Sequence, residues 1–184
     1  MAVIVSMLRG VNVGPHNRVK MEALRALYES LKLRGAQSYV QSGNIVFKTD
    51  EKDLVKLAKK IETAIVKKFG FQTNVIFRSG AELRDIVARN PFARRRGMEP
   101  GKLLVTFLDG DPGEEARVKV RAIQCAPDEL FIDGREAYIY FPNGMGRPTL
   151  SWATIPKTLR VSGTGRNWNS VVKLLEMAEQ MEAE

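Results

Sequence analysis

Ser38-Tyr39-Val40-Gln41-Ser42-Gly43-Asn44-Ile45-Val46-Phe47-Lys48 reads as two short strands folded back on each other. β-Branched and aromatic residues flank Ser42-Gly43, a two-residue turn signal. Helical patterns lie on both sides of this hairpin. Upstream, Met21, Leu24, Leu27, Tyr28 and Leu31 recur at helical spacing, which predicts an amphipathic helix over about residues 18–33 that ends near Gly35. Downstream, Leu54, Leu57, Ala58, Ile61, Ile65 and Phe69 line one side of a second helix, with Asp50 as its cap and Gly70 as its stop. Further out, Ala2-Val3-Ile4-Val5-Ser6-Met7-Leu8 is a continuous apolar strand, the pattern of burial on both faces, and Thr73 to Arg78 supplies a fourth strand. The order is βαββαβ, a ferredoxin-like split βαβ unit.

The order then repeats. Ser79-Gly80-Ala81-Glu82 has the form of a capping box, and the helix it opens ends at Asn90-Pro91. Residues 90–101, with two prolines, two glycines and Arg94-Arg95-Arg96, read as a linker. Beyond it come a strand at 102–108, a helix from Asp111-Pro112 to about Ile123, strands at 129–132 and 136–141 around Asp133-Gly134, a helix over 149–159 and a short strand at 160–162. Thr164 can cap a last helix whose apolar stripe is Trp168, Val171, Val172, Leu175 and Ala178. The expected fold is therefore α+β: two ferredoxin-like βαββαβ units, a pseudo-duplication, plus a C-terminal helix. The expected divisions are an N-terminal unit over 1–80, a connecting helix and basic linker over 81–101, and a second unit with its C-terminal helix over 102–184.

Composition removes several kinds of chemistry. One cysteine, Cys125, and one histidine, His16, exclude an internal disulfide framework, a CxxC redox pair and a Cys/His metal cluster. No metal and no cofactor is expected. No apolar run approaches the roughly 18 residues that cross a bilayer, and the N-terminus lacks a basic region ahead of its strand, so no membrane or secretory role is expected and the cytoplasm is the expected compartment. The net charge of +8 is lopsided: residues 1–90 carry 16 lysines and arginines against 8 acids, while residues 91–184 carry 13 of each. An excess of this kind suits an anionic partner, and it also suits a solvated helix face bearing Lys52, Lys56, Lys59, Lys60, Lys67 and Lys68.

The densest polar segment follows the first strand. Leu8-Arg9-Gly10-Val11-Asn12-Val13-Gly14 runs into Pro15-His16-Asn17-Arg18-Val19-Lys20, a loop with two glycines, two asparagines and three basic side chains placed between a strand and a helix. Folds with helices and sheets put anions at such places, where backbone N–H groups are free. In a ferredoxin-like unit the first and third strands are antiparallel neighbours, so this loop and the Gln41-Ser42-Gly43-Asn44 hairpin fall at one end of the sheet. Arg9, Asn12, Asn17, Lys20, Gln41, Ser42 and Asn44 are the candidate ligand-binding residues there. Arg166 and Asn167, in Thr164-Gly165-Arg166-Asn167-Trp168-Asn169, are candidates to complete an anion site at the start of the last helix. The same glycines and asparagines also suit plain turns. Gly10 to Gly14 lacks the Gly-Lys-Ser/Thr of a P-loop, and Gly144-Met145-Gly146 lacks the third glycine of a dinucleotide fingerprint. The first strand carries no aromatic, which disfavours RNA stacking on an open sheet.

Four segments, Leu8–Gly14, Gln41–Asn44, Asn90-Pro91-Phe92 and Thr164-x-Arg166-Asn167-Trp168-Asn169, occur in an order that resembles the bacterial family known as domain of unknown function 1697. The resemblance implies a small cytoplasmic bacterial protein of mixed helix and sheet, and it transfers no catalytic residue. Three readings follow from the residues. The first is binding of a small phosphorylated or nucleotide-like anion at the 9–20 loop and the 41–44 hairpin. The second is nucleic-acid binding through the basic first half. The third is a phosphoryl-, nucleotidyl- or acyl-processing enzyme drawing on His16, Lys20, Glu22 and Tyr39.

Overall fold

The computed structural model describes residues 1–151 and 154–184. Its elements are β1 (Ala2–Leu8), α1 (Met21–Ser30), β2 (Arg34–Tyr39), β3 (Asn44–Thr49), α2 (Leu54–Phe69), β4 (Val75–Ser79), α3 (Gly80–Ala88), β5 (Leu103–Leu108), α4 (Glu114–Arg121), β6 (Glu129–Asp133), β7 (Glu136–Tyr140), α5 (Thr154–Leu159), β8 (Gly163–Asn167) and α6 (Trp168–Ala183). They form two four-stranded antiparallel sheets, ordered β2-β3-β1-β4 and β6-β7-β5-β8. Each is the ferredoxin-like order, with the third strand of the unit inserted between the first and the second. One compact unit comprises Met1–Asp85 with Lys173–Glu184, and the other Ile86–Val172.

The two units repeat in detail. Val5 stands opposite Arg78 across β1 and β4, and Val105 stands opposite Arg166 across β5 and β8. Leu8 N–H bonds to Gly43 O and Arg9 N–H to Asn74 O; Leu108 N–H bonds to Arg135 O and Asp109 N–H to Ser162 O. In the first unit Ile4, Leu8, Leu24, Tyr28, Phe47, Ile61 and Ile65 share one core. Val3, Val5 and Met7, on the alternate side of β1, are buried as well, as the unbroken apolar run requires.

Local chemistry sets the helix ends. Ser79 and Glu82 close the expected capping box: Glu82 N–H donates to Ser79 Oγ at 3.2 Å, and Ser79 N–H to Glu82 Oε2 at 2.8 Å. Gly70 ends α2 in the left-handed region at φ +77°. The cap of α2 is Asp53, whose carboxylate accepts from Lys56 N–H at 2.9 Å, and Asp50 lies outside the helix. Helix α1 is shorter than its apolar stripe because the chain reverses at Lys32, with Lys32 N–H bonded to Glu29 O and Leu33 N–H to Tyr28 O.

Three strand assignments move. Gly35 does not stop a helix; it lies within β2, at a shift of register between Arg34 and Gln37. The hairpin turn spans four residues, Val40 to Gly43, with Val40 at φ +50° and Gly43 at φ +75°. The last strand is Gly163–Asn167 rather than 160–162. Its glycines let it close on β5, for a Cβ at Gly163 would lie 3.1 Å from Leu108 Cδ2 and from Phe107 O. Thr164 is buried in this strand and caps no helix. Helix α5 begins at Thr154; Trp152 and Ala153, inside the expected 149–159 helix, lie outside the described residues. Residues 90–101 form successive turns in which Phe92 packs on Tyr140 and Arg95 lies 4.4 Å over the Tyr140 ring and pairs with Glu129.

Tyr28 is the polar centre of the first core. It is fully buried, edge-on to Phe47, with its hydroxyl 2.7 Å from Ser6 Oγ. Burial pushes its phenol above the ordinary value of 10. The folded phenol keeps its proton where the unfolded one loses it, so this contribution is full below pH 10 and declines above it. Denaturant titrations between pH 9 and 11.5 are expected to show stability falling with a Tyr28 share of up to about 1.4 kcal/mol per pH unit. Tyr28→Phe is expected to flatten that limb and to cost about 1–2 kcal/mol at neutral pH, because Ser6 loses its partner.

Candidate functional site

The end of β1 is fixed from both neighbours. Met7 pairs with Asn44, and Leu8 N–H donates to Gly43 O at 3.0 Å. On the other side Arg9 N–H donates to Asn74 O at 3.0 Å, and the Thr73 hydroxyl donates to Arg9 O at 2.7 Å. The 9–20 loop and the 41–44 hairpin therefore meet at one end of the first sheet. Gly43 is required there on two counts. Its φ is +75°, and a Cβ would sit 2.9 Å from Leu8 Cβ and 3.3 Å from Val11 Cβ.

Asn12 joins loop and hairpin. Its amide nitrogen donates to Val19 O at 2.9 Å and to Gln41 O at 2.8 Å, while its amide oxygen accepts from Val19 N–H at 2.9 Å. Asn17 donates to Gly10 O at 3.1 Å, and its own carbonyl accepts from Asn12 N–H. Both asparagines take positive φ, near +50°, which they tolerate better than most residues. Asn44 is fully buried, and its amide donates to Ser42 Oγ at 2.8 Å and Tyr39 O at 3.2 Å. Asn12, Asn17, Ser42 and Asn44 thus hold the loops in place.

Of the candidate residues, Arg9, Lys20 and Gln41 are exposed, and so is Arg18. Among the described residues no ion pair engages Arg9, Arg18 or Lys20. Arg18 is the third basic side chain of the loop. The signal for it is Val19, which is buried and turns Arg18 and Lys20 outward on either side. Beside the strand end a cleft of about 480 Å³ is lined by Glu62, Thr63, Val66, Gln72, Thr73 and Asn74. It shares Thr73 and Asn74 with the bonds that fix Arg9. Only the polar run Gln72-Thr73-Asn74 marks it in the sequence. Glu62 does not point freely into it as a base, since its carboxylate accepts from Val75 N–H at 2.9 Å.

Arg166 and Asn167 belong to the second unit, with Arg166 within β8 and Asn167 directly ahead of α6, at the expected helix start. Arg166 lies inside β8, 6% exposed, and donates to Thr164 Oγ1 at 2.7 Å and Gly165 O at 2.8 Å. Burial pulls its guanidinium down to about 10, which leaves it charged at neutral pH. Asn167 donates to Gly101 O and, through its amide oxygen, accepts from Asn169 N–H at the first turn of α6. Trp168 is buried, as an anchor of that helix would be.

Among the described residues no side-chain hydrogen bond or ion pair joins the enzyme candidates to one another. His16, Lys20 and Glu22 are exposed, and Tyr39 is half-buried in β2. Among the described residues His16 has no hydrogen-bond partner to orient it, and no group of three His, Cys, Asp or Glu side chains could hold a metal ion. No described helix is long and apolar enough to cross a membrane. Asn12→Gly keeps the backbone conformation and deletes the clip. The expected result is at least tenfold faster hydrogen exchange at the Val19 amide and a melting temperature lower by roughly 3–8 °C.

The known proteins bear on the fold. The chain has a TM-score of 0.78 and 21% identity with the conserved bacterial protein SP0830 from Streptococcus pneumoniae, over 97% of this chain and 99% of that one. No curated protein matches it. The model of the family described as protein of unknown function (DUF1697) matches residues 1–138 of 184, and the chain belongs to that family.

Proposed function

We propose that the first unit binds a small phosphorylated or nucleotide-like anion at the 9–20 loop and the 41–44 hairpin. The observation that supports this is the Asn12 clip. Asparagine side chains hold the loop and the hairpin at the end of β1, while Arg9, Arg18 and Lys20 are exposed without an ion partner among the described residues. The loop is built first and the charge is left over, which suits a site organised before its ligand arrives. Arg9 offers a planar fork for two phosphate oxygens and Lys20 a point charge. Its bonds to Thr73 and Asn74 set the Arg9 backbone. Gln41, beside the clip, supplies a neutral amide for orientation. Arg166 and Asn167, engaged within their own strand and helix start, take no part in this reading.

A thermal-shift panel tests it, with nucleotides, phosphorylated metabolites and short oligonucleotides at low and moderate salt. A ligand at about 100 times its Kd adds about 2.7 kcal/mol, or roughly 5–10 °C. Arg9→Ala is expected to weaken the best small anion about 10- to 100-fold, the worth of one charge-assisted contact. Unchanged affinity in Arg9→Ala would place the ligand elsewhere. A shift with oligonucleotides alone, lost steeply as salt rises, would favour the nucleic-acid reading.

A further inference from the structure

At the other end of the first sheet, about 20 Å along β1 from the Arg9 loop, four cationic side chains and the terminal amine of Met1 line a separate cleft. It has a volume of about 320 Å³, and Lys32, Arg34, Lys48 and Lys60 line it, with Leu33 and Leu57 as apolar lining and Asp50 and Glu51 as its acids. We infer that this cleft is a second anion site, for a ligand carrying two or more adjacent phosphates. The inference is independent of the Arg9 loop.

Three observations point the same way. First, the cations lack partners: among the described residues no ion pair engages Lys32, Arg34, Lys48 or Lys60. Glu51 accepts from Asp53 N–H at 3.0 Å, and Asp50 lies 3.5 Å from the terminal amine. Second, Arg34 and Lys48 are directly paired in register across β2 and β3. Like charges so placed repel, and folding alone does not call for them. Third, Lys32 occupies the left-handed position just past α1, at φ +65°. Leu33 N–H to Tyr28 O and Lys32 N–H to Glu29 O make this a Schellman closure, a position that glycine usually fills. The carbonyl end of α1 favours one nearby cation. It does not account for four, nor for a strained one. The volume is that of a small-ligand site, and four donors in it match the oxygens of a di- or triphosphate better than a single carboxylate.

Calorimetric titration of inorganic tripolyphosphate into the full chain tests this, with an oligonucleotide in a parallel arm. In an Arg9→Ala/Lys20→Ala background, which removes the charge of the front loop, Arg34→Ala/Lys48→Ala is expected to weaken tripolyphosphate at least 30-fold. Using that background separates failure here from failure of the front-loop reading. Lys32→Gly is a second measurement with opposed signs. It relieves the backbone, so the protein alone should melt about 1–3 °C higher, and tripolyphosphate should protect it less. The inference is overturned if the wild-type chain does not bind tripolyphosphate at low salt, or if the Arg34/Lys48 substitutions leave the affinity of that background unchanged. Equal protection of Lys32→Gly and wild type would overturn it too. So would an oligonucleotide that binds much more tightly than tripolyphosphate, with affinity falling linearly in log salt, since that would assign the cations to a nucleic-acid backbone.

Discussion

The hydrogen bond from Leu8 N–H to Gly43 O fixes the end of the first sheet where the 9–20 loop meets the 41–44 hairpin. It forms only because Gly43 has no Cβ: any other residue would press within 2.9 Å of Leu8 Cβ and would have to hold φ near +75°. That contact sets the height of the 41–44 turn against the end of β1. It therefore also sets where Gln41 O meets the amide of Asn12. Asn12 in turn fixes Val19 by both its N–H and its C=O, and with it the directions in which Arg18 and Lys20 leave the loop. A glycine chosen by steric contact and an asparagine chosen by hydrogen-bond geometry together decide where Arg18 and Lys20 stand.

Much of this is visible in the residues alone, for identifiable reasons. The apolar run of β1, the stripe of α2 with its Gly70 stop and the Ser79/Glu82 box are local signals, and local signals survive folding unchanged. The convergence of loop and hairpin follows from topology once βαββαβ is recognised. What was not legible depends on partners distant in sequence. Gly163 and Gly165 look like loop residues until Leu104 and Leu108 are seen to fill the space that their side chains would occupy. Arg166 looks like a helix-end cation until the strand carries it into the interior. Asp50 is the cap that the sequence suggests, and the path of the chain after Thr49 gives that place to Asp53. For the site, the charged residues were recognisable by type. The division between those that build the loop and those left to solvent was not, because it rests on which carbonyls Asn12, Asn17 and Asn44 can reach.

The second unit serves as an internal control on the meaning of the charge. It reproduces the strand order, the Val–Arg register pair and the two backbone bonds at the end of its first strand. Yet where the first unit has Arg9 and a basic loop, the second has Asp109-Gly110-Asp111-Pro112-Gly113. Asp111 is held below the usual carboxylate range, first by the N–H of Gly113 and then by Arg117, and Arg117 also pairs with Glu114. Asp111 and Glu114 are paired within the unit with Arg117 and Arg121 and lie at the start of α4, where negative charge is favoured. A ferredoxin-like unit thus does not need an unpaired basic loop after its first strand in order to fold. The cations of the first unit are a property of its sequence rather than of the architecture.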